Sequence, residues 1–180
     1  MHRTRPMPRI RIALAVLTLA LSLVSATAFP ALAQEPEPAP TTVIVVRHAE
    51  KAIAPPEDPE LNLQGLARTG RLVRLLEKSG VTAVYASQYQ RTRQTVEPVA
   101  KQFGLEVQVI DAKDPAAVAR AALTHAGGVV LIAGHSNTVG AIIEALGGGS
   151  IEPIGDDDYD NVYVVTIFGE GRASVLRLSY

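Results

Sequence analysis

Four short apolar runs, each followed by a segment with helical periodicity, limit the folds open to this chain more than any other feature. The runs cover residues 43–46, 81–86, 105–110 and 129–133. Short runs rich in β-branched residues are typical of buried strands. Because strands alternate with helices, we expect a mostly parallel sheet with helices on both faces, which is a three-layer α/β/α sandwich.

Four helices are predicted between and after these strands. Asn62 is the expected N-cap of the first helix, and Gly80 ends it. The apolar side of that helix is predicted to hold Leu66, Leu72, Val73, Leu75 and Leu76. The other three helices are predicted over residues 89–103, 115–125 and 138–146. Residues 161–168 and 172–178 predict a hairpin, so the sheet is expected to end in an antiparallel C-terminal edge.

The first 33 residues have the composition of a secretory signal peptide. Four arginines precede an apolar stretch over residues 12–24, and small-residue sites end at Ala28 and Ala33. We predict cleavage after Ala33, with cleavage after Ala28 and an uncleaved anchor as the alternatives. The protein is therefore expected to be periplasmic or secreted, with no stable membrane span after cleavage.

The rest of the chain is long enough for one domain. Residues 34–41 are rich in proline and predict an extended spacer, which leaves residues 42–180 for the folded domain.

Loss of residues 1–33 removes four of 17 basic side chains and none of 18 acidic ones, so the net charge becomes −5. This charge gives no indication of a nucleic-acid surface. The absence of cysteine excludes thiol redox chemistry. The oligomeric state is not defined by the sequence.

Basic and imidazole side chains follow three of the predicted strands. Arg47 and His48 come after the first strand, Arg91 opens the helix after the second, and His135 follows the fourth. The carboxyl ends of parallel strands meet at one edge of a sheet, where open α/β sheets bind their ligands. A cation in the first turn of a helix is disfavoured by the dipole unless an anion accompanies it. Two guanidinium groups and two imidazoles at one edge therefore predict a site for a phosphoryl group.

The segments that carry these residues resemble the motifs of the histidine phosphatase (phosphoglycerate mutase-like) superfamily. The matching segments are Arg47-His48-Ala49-Glu50-Lys51, Leu61-Asn62-Leu63-Gln64-Gly65, Ser87 to Thr95, and Gly134-His135-Ser136-Asn137-Thr138. The resemblance extends over residues 42–178 and implies a phosphoglycerate mutase-like fold. It also implies hydrolysis of a small phosphorylated substrate, either a phosphomonoester or a phosphohistidine or acyl phosphate.

This resemblance implies a role for each residue at the predicted edge. His48 is expected to be the nucleophile that forms a phosphohistidine, which requires a neutral imidazole. Arg47, Arg91 and His135 are expected to hold the equatorial oxygens of the transferred group. Ser136 and Asn137 are also expected to bind the substrate. No metal and no cofactor are expected, because the cations would supply the charge that a metal otherwise provides.

The general acid is assigned to two candidate carboxylates. Asp111 follows the third strand and lies between Arg91 and His135 in the chain, where one branch of the superfamily has its acid. Glu50 follows the nucleophile by two residues, and its alternative role is an ion pair with Lys51 or Arg91. An absent acid would restrict the enzyme to leaving groups that need little protonation.

Three other functions compete with hydrolysis at this site. Mutase activity is disfavoured because Lys51 and Ala54 replace the serine and asparagine of mutase members. A serine hydrolase with its nucleophile at Ser136 is disfavoured because Thr138 replaces the second glycine of the elbow and no histidine follows His135. A non-catalytic phosphate- or sugar-phosphate-binding protein would share every arginine with the enzyme.

Two further features have structural interpretations. His125 is expected at a helix C-terminus, where the dipole favours its cation, and we interpret it as structural. Residues 156–160 contain four aspartates around Tyr159 but lack the glycine and terminal glutamate of a calcium loop. We predict that this loop lies at the mouth of the site, with Tyr159 in contact with the substrate.

Overall fold

The computed structural model describes residues 39–169 and 171–180. Its strands are β1 (Thr41–Arg47), β2 (Val81–Ala86), β3 (Val107–Val109), β4 (Val129–Gly134), β5 (Asn161–Ile167) and β6 (Ala173–Ser179). Its helices are α1 (Leu63–Leu76), α2 (Gln90–Gln102), α3 (Pro115–Leu123) and α4 (Val139–Ala145). The predicted signal peptide lies outside the described residues. None of the helices described is long and apolar enough to cross a membrane.

The six strands described form one mixed sheet in the order β3-β2-β4-β1-β5-β6. Strands β1 to β4 run parallel to one another, whereas β5 pairs antiparallel with β1, and β6 pairs antiparallel with β5. The predicted parallel sheet with an antiparallel C-terminal edge is therefore confirmed. The sheet order places β1 and β4, the strands that precede the two histidines, side by side.

Each face of the sheet is covered by two helices. Val43 and Val45 pack with residues of α3 and α4, whereas Ile44 and Val46 pack with residues of α1 and α2. Successive side chains of a strand point to opposite faces, so a continuous apolar run has both faces buried. Burial of each such side chain contributes about 1.5–3 kcal/mol. The predicted three-layer sandwich is confirmed, and all but one residue of the strand that ends at Arg47 are buried.

The buried side of α1 differs from the prediction. Leu66 and Leu75, expected to be buried, are 51% and 43% exposed, whereas Arg68 is 9% exposed. The helix lies close to the segment after β1: a Cβ at Gly65 would overlap the carbonyl oxygen of Glu50. Asn62 is the N-cap, as predicted, and accepts a hydrogen bond from the Gly65 amide at 2.9 Å. This helix therefore packs through polar contacts next to the site as well as through leucine.

The connections after β1 and β4 open a crevice at the carboxyl edge of the sheet. The chain leaves β1 towards α1 on one face and leaves β4 towards α4 on the other. Neighbouring parallel strands whose connections diverge in this way form the usual ligand crevice of an open α/β sheet. Arg47 pairs with Gly134 in the register of the two strands. His48 and His135 are the next residues on each strand, so the register brings them together.

Candidate active site

The two histidines lie against each other at the carboxyl edge of the sheet. Their ring centroids are 5.3 Å apart, with an angle of 66° between the ring planes. The His48 amide donates a hydrogen bond to the Gly134 carbonyl at 2.9 Å, which extends the β1–β4 ladder into the site. Both residues are buried, with 4% of His48 and 8% of His135 exposed. The predicted convergence of the two imidazoles is thus observed.

Both histidines are held neutral near pH 7. Burial lowers the pKa of His48 to about 3; the hydrogen bond to the Ala49 carbonyl opposes this effect, and the charges of His135, Arg91 and Arg47 add to it. Burial lowers the pKa of His135 to about 4, and Arg91 and Arg47 lower it further. A neutral imidazole retains the lone pair that a nucleophile or a proton acceptor needs.

The surroundings of His48 define which of its nitrogens carries the proton. Its Nδ1 atom lies 2.8 Å from the backbone carbonyl oxygen of Ala49. A carbonyl oxygen only accepts hydrogen bonds, so Nδ1 is the protonated nitrogen and donates. The lone pair of the neutral ring therefore lies on Nε2.

A chain of hydroxyl groups fixes the ring of His135. Its Nε2 lies 2.9 Å from Ser87 Oγ, Ser87 Oγ lies 2.7 Å from Thr92 Oγ1, and Thr92 Oγ1 donates to the Tyr89 carbonyl at 2.8 Å. Arg91 Nη2 lies 3.5 Å from Nδ1 of His135. Because a guanidinium only donates, Nδ1 accepts and the Nε2 proton points to Ser87. Ser87 and Thr92 belong to a segment that resembles a superfamily motif, but the resemblance implied no role for either residue.

Each arginine of the site stacks on a tyrosine. The guanidinium carbon of Arg47 lies 4.0 Å from the Tyr159 ring centroid, and that of Arg91 lies 4.4 Å from the Tyr89 ring centroid. Both Nε atoms are buried and lack a hydrogen-bond partner among the described residues. An unsatisfied buried donor costs about 1–3 kcal/mol, and more when it is charged. Two such donors beside two neutral imidazoles form a site suited to an anion.

Arg47 also anchors the loop that covers the site. Its Nη1 donates to the carbonyl oxygens of Gly155 at 2.6 Å and Asp158 at 3.3 Å. Asp158 closes the loop on itself by accepting a hydrogen bond from the Gly155 amide at 2.9 Å. The Tyr159 ring lies 6.0 Å from the His48 ring. The predicted placement of this loop at the mouth of the site is observed, whereas substrate contact by Tyr159 stays a prediction.

A cleft of about 670 Å³ opens above the two histidines. Arg47 and Arg91 line it together with Ser136 and Asn137, so the structure brings all the predicted substrate-binding residues to one place. The volume is in the range of sites for small molecules. Within the described ranges, no group of three or more His, Asp or Glu side chains is arranged to hold a metal ion.

Glu50, one of the two predicted acids, is held in a buried ion pair with Arg68. The Arg68 Nε atom lies 3.0 and 2.9 Å from the two carboxylate oxygens, and Nη2 lies 2.6 Å from Oε1. Burial alone would raise the pKa of Glu50, but the hydrogen bonds and charge of Arg68 outweigh it and lower that pKa. The structure does not support Glu50 as the acid, and its partner is neither Lys51 nor Arg91. A carboxylate that keeps its charge is a poor proton donor.

Asp111, the other predicted acid, is exposed at the edge of the site. Its carboxylate accepts a hydrogen bond from the Lys113 amide at 2.9 Å and lies 3.4 Å from Gln88 Nε2. It borders a small apolar cavity next to His135, not the large cleft. The large cleft is bordered instead by Asp156. The role of Asp111 as acid stays a prediction, and Asp156 joins it as a candidate.

Thr95 joins the segment after the nucleophile to the helix that carries Arg91. Its Oγ1 accepts a hydrogen bond from the Ala49 amide at 2.9 Å and donates to the Arg91 carbonyl at 2.7 Å. Thr92 and Thr95 are three residues apart and therefore lie on the same face of α2, next to the site. Their spacing is the signal from which a structural role could have been predicted.

The neutral histidines are expected to make the fold sensitive to acid. In the unfolded chain both rings bind a proton as the pH falls below about 6.5, whereas the folded rings remain neutral down to about 4. The free energy of unfolding should therefore be unaffected above pH 7 and fall below pH 6.5, by about 2 kcal/mol per histidine at pH 5. Urea denaturation at pH 7 and pH 5 measures this change. His48→Asn should lose less stability between these pH values than the wild type, and an equal loss would contradict the pKa of His48.

The Glu50–Arg68 pair is expected to matter for stability. Glu50→Gln should lower the free energy of unfolding by about 3 kcal/mol, because it leaves the buried charge of Arg68 without a counter-charge. Urea denaturation measures the loss. Glu77→Gln is the control, since Glu77 pairs with Lys78 at 3.9 Å on the surface and such pairs contribute less than about 1 kcal/mol. Similar losses in the two variants would contradict a structural role for the buried pair.

Comparisons with known proteins agree with this geometry. The sequence model of the histidine phosphatase superfamily (branch 1) matches residues 43–113, which include Arg47, His48, Arg91 and Asp111. No curated protein sequence matches the chain. Among solved structures, the protein histidine phosphatase SixA complexed with tungstate is similar, with 20% identity, a TM-score of 0.62, and coverage of 77% of this chain and 96% of that chain.

Two further solved structures have the same fold. The putative phosphohistidine phosphatase SixA from Agrobacterium tumefaciens is 23% identical, with a TM-score of 0.57 and coverage of 77% of this chain and 98% of that chain. The mycobacterial glucosyl-3-phosphoglycerate phosphatase is 12% identical, with a TM-score of 0.61 and coverage of 78% of this chain and 98% of that chain. At these identities the likeness establishes the fold of the chain and not its substrate.

Proposed function

We propose that the chain is a histidine phosphatase, which hydrolyses small phosphorylated molecules through a phosphohistidine on His48; the sequence model of that superfamily matches residues 43–113. One observation carries the proposal. Two neutral imidazoles with ring centroids 5.3 Å apart lie beside two arginines, each of which has a buried Nε donor without a partner among the described residues. Both guanidinium groups and both imidazoles line the same cleft, so a phosphoryl group bound there would lie within reach of the nucleophile.

In the first step, Nε2 of His48 attacks phosphorus in line with the leaving oxygen. The phosphorus–nitrogen bond forms as the bond to the leaving oxygen breaks, and the bonding pair stays with that oxygen. Arg47 and Arg91 donate to the non-bridging oxygens, on which negative charge is spread in the transition state. Because Nδ1 of His48 donates to the Ala49 carbonyl, the ring is already oriented for attack.

In the second step, water attacks the phosphohistidine. The phosphorus–nitrogen bond breaks, its electron pair returns to Nε2, and inorganic phosphate leaves with the oxygen of the water. His135 contributes to both steps. A bound phosphate dianion favours the protonated form of a nearby imidazole, so substrate raises the pKa of His135 above its value of about 4 in the free site. The ring is then able to donate a proton to the phosphoryl oxygens.

The leaving group decides which substrates are hydrolysed well. Glu50 is paired with Arg68, and the remaining candidate acids are Asp111 and Asp156. We propose that good leaving groups, such as the imidazole of a phosphohistidine, are preferred over alkyl alcohols. The names of the similar structures suggest two classes to compare, phosphohistidine and sugar phosphate. We propose that the reaction takes place in the periplasm or outside the cell, because residues 1–33 have the pattern of a signal peptide.

The test is hydrolysis of p-nitrophenyl phosphate by the purified protein in the presence of a metal chelator. We expect turnover, and we expect mass spectrometry after an alkaline quench to find one phosphoryl group on the peptide that contains His48. Turnover without a labelled peptide, or with the label elsewhere, would contradict the covalent mechanism. Binding of inorganic phosphate without turnover would identify a phosphate-binding protein instead.

A further inference from the structure

Asp58 lies in the loop between β1 and α1 and contacts the start of α2. Its Oδ1 accepts a hydrogen bond from the Gln90 amide at 2.9 Å, and its backbone carbonyl accepts one from Gln90 Nε2 at 3.1 Å. The same Oδ1 lies 3.8 Å from Nη1 of Arg91. No role was predicted for Asp58 from the sequence.

Helix α2 depends on this contact because it lacks a cap of its own. Tyr89 occupies the N-cap position and its side chain makes no capping hydrogen bond. The first amides of a helix otherwise have no partner, and a carboxylate there is favoured by the dipole. Asp58 thus supplies from another part of the chain what the N-cap residue does not. A second contact, from the Leu61 amide to Gln94 Oε1 at 2.8 Å, holds the same loop to the helix.

The guanidinium of Arg91 is fixed on three sides. Nη1 faces Asp58, Nη2 faces Nδ1 of His135, and the plane stacks on Tyr89, which leaves Nε unpartnered among the described residues. The side chain of Arg91 is 15% exposed and that of Asp58 is 36% exposed. The charge interaction between them is therefore less screened than one between fully exposed side chains.

We propose that Asp58 is a positioning residue, which orients Arg91 so that its free donors meet the phosphoryl group. The expected effect of Asp58 on catalysis rests on the proposed function. Its expected effect on phosphate binding does not, because binding is measured without turnover. The carboxylate of Asp58 also repels a bound anion. Its orientation of Arg91 should therefore strengthen phosphate binding, whereas its charge should weaken it. Orientation prevails because Asp58 contacts only Nη1, at 3.8 Å, while the guanidinium still lines the cleft.

Replacement of Asp58 by asparagine separates the charge from the cap. Asp58→Asn keeps an oxygen acceptor for the Gln90 amide and removes the charge that holds Arg91. We expect a fivefold to tenfold weaker binding of inorganic phosphate, measured by isothermal titration calorimetry, and a similar loss in kcat/KM, each roughly the size expected for one partly buried charge interaction. The thermal stability should remain close to that of the wild type. Unchanged or tighter phosphate binding would overturn the proposal.

A matched control and a double variant test whether Asp58 influences phosphate affinity through Arg91. Asp114 caps α3 through the Ala117 amide at 2.8 Å and lies 3.7 Å from Arg120, so it is likewise a helix-capping carboxylate beside an arginine. Asp114→Asn should leave phosphate affinity unchanged.

In an Arg91→Ala background, Asp58→Asn should cause no further loss of phosphate affinity. Equal losses with and without Arg91 would mean that Asp58 does not act through it. Loss of phosphate affinity in a protein without turnover would contradict the proposed function and leave this proposal intact.

Discussion

His48→Asn is expected to lower kcat for p-nitrophenyl phosphate by about 10⁴-fold or more, because it removes the atom that attacks phosphorus. The asparagine amide is able to replace Nδ1 as donor to the Ala49 carbonyl, so the local backbone should be retained. Steady-state hydrolysis measures the loss, and the alkaline-quenched protein should carry no phosphoryl group. Because buried His48 is neutral near pH 7, its replacement removes no charge from the folded site.

His125→Asn is the matched control for this variant. His125 lies outside the cleft, at the end of α3, and its Nε2 is 2.9 Å from the hydroxyl of Tyr85. We expect its replacement to change kcat by less than about twofold, as is usual for a residue that does not contact the reacting groups. Retained hydrolysis in His48→Asn would rule out the covalent mechanism. An equal loss of kcat in the two variants would mean that the loss results from a less stable fold and not from the missing nucleophile.

The central strands β1, β2 and β4 were predictable because they are buried on both faces. Residues 81–86 were predicted as a strand and are observed as one with the same bounds, and the predicted strand 129–133 is extended by one residue. The third strand was predicted over residues 105–110 and is observed only over Val107–Val109. Among the strands described, it lies at the edge of the sheet and pairs only with β2. An edge strand gains less from pairing and burial, so its apolar pattern defines its ends less well.

The convergence of the histidines was predictable for a related reason. Residues that follow adjacent parallel strands in register must lie side by side, and Arg47 pairs with Gly134. Arg91 was likewise placed in the first turn of a helix, and α2 begins at Gln90. The anion that this placement required was predicted to be the substrate. The structure adds a second, internal anion, the carboxylate of Asp58.

The partners of the charged side chains could not be predicted from the sequence. Glu50 pairs with Arg68, which lies on a helix whose buried side was assigned from its leucines. The periodicity of α1 does not specify that its first turns pack against the backbone of Glu50, because that contact depends on how the loop between them returns to the sheet. The same holds for Asp58, whose contact with α2 joins segments 32 residues apart. Ion pairs between distant segments are set by tertiary packing, which a single sequence pattern does not encode.

Arg91→Ala is expected to lower kcat/KM by about 10³-fold, because it removes a preorganised donor to the oxygens on which charge develops. Arg91→Lys should recover about tenfold of this loss, since it restores the charge without the planar fork that stacks on Tyr89. Steady-state kinetics with p-nitrophenyl phosphate measures both. Arg93→Ala is the control. Arg93 lies on the same helix and its buried Nε has no partner in the described part of the chain, but it borders other pockets and not the cleft that holds the histidines.

The Arg91 variants are also expected to differ in the pH dependence of kcat/KM, which a loss of stability would not explain. The positive charge of Arg91 lowers the pKa of His135, second only to burial, and it also lowers the pKa of His48. Without that charge both pKa values should rise towards their ordinary value. The profile of kcat/KM reports the ionisations of the free enzyme, so its acid limb should move to higher pH in Arg91→Ala and stay in place in Arg91→Lys and Arg93→Ala. An acid limb at the same pH in all three variants would mean that Arg91 does not face the two imidazoles in solution.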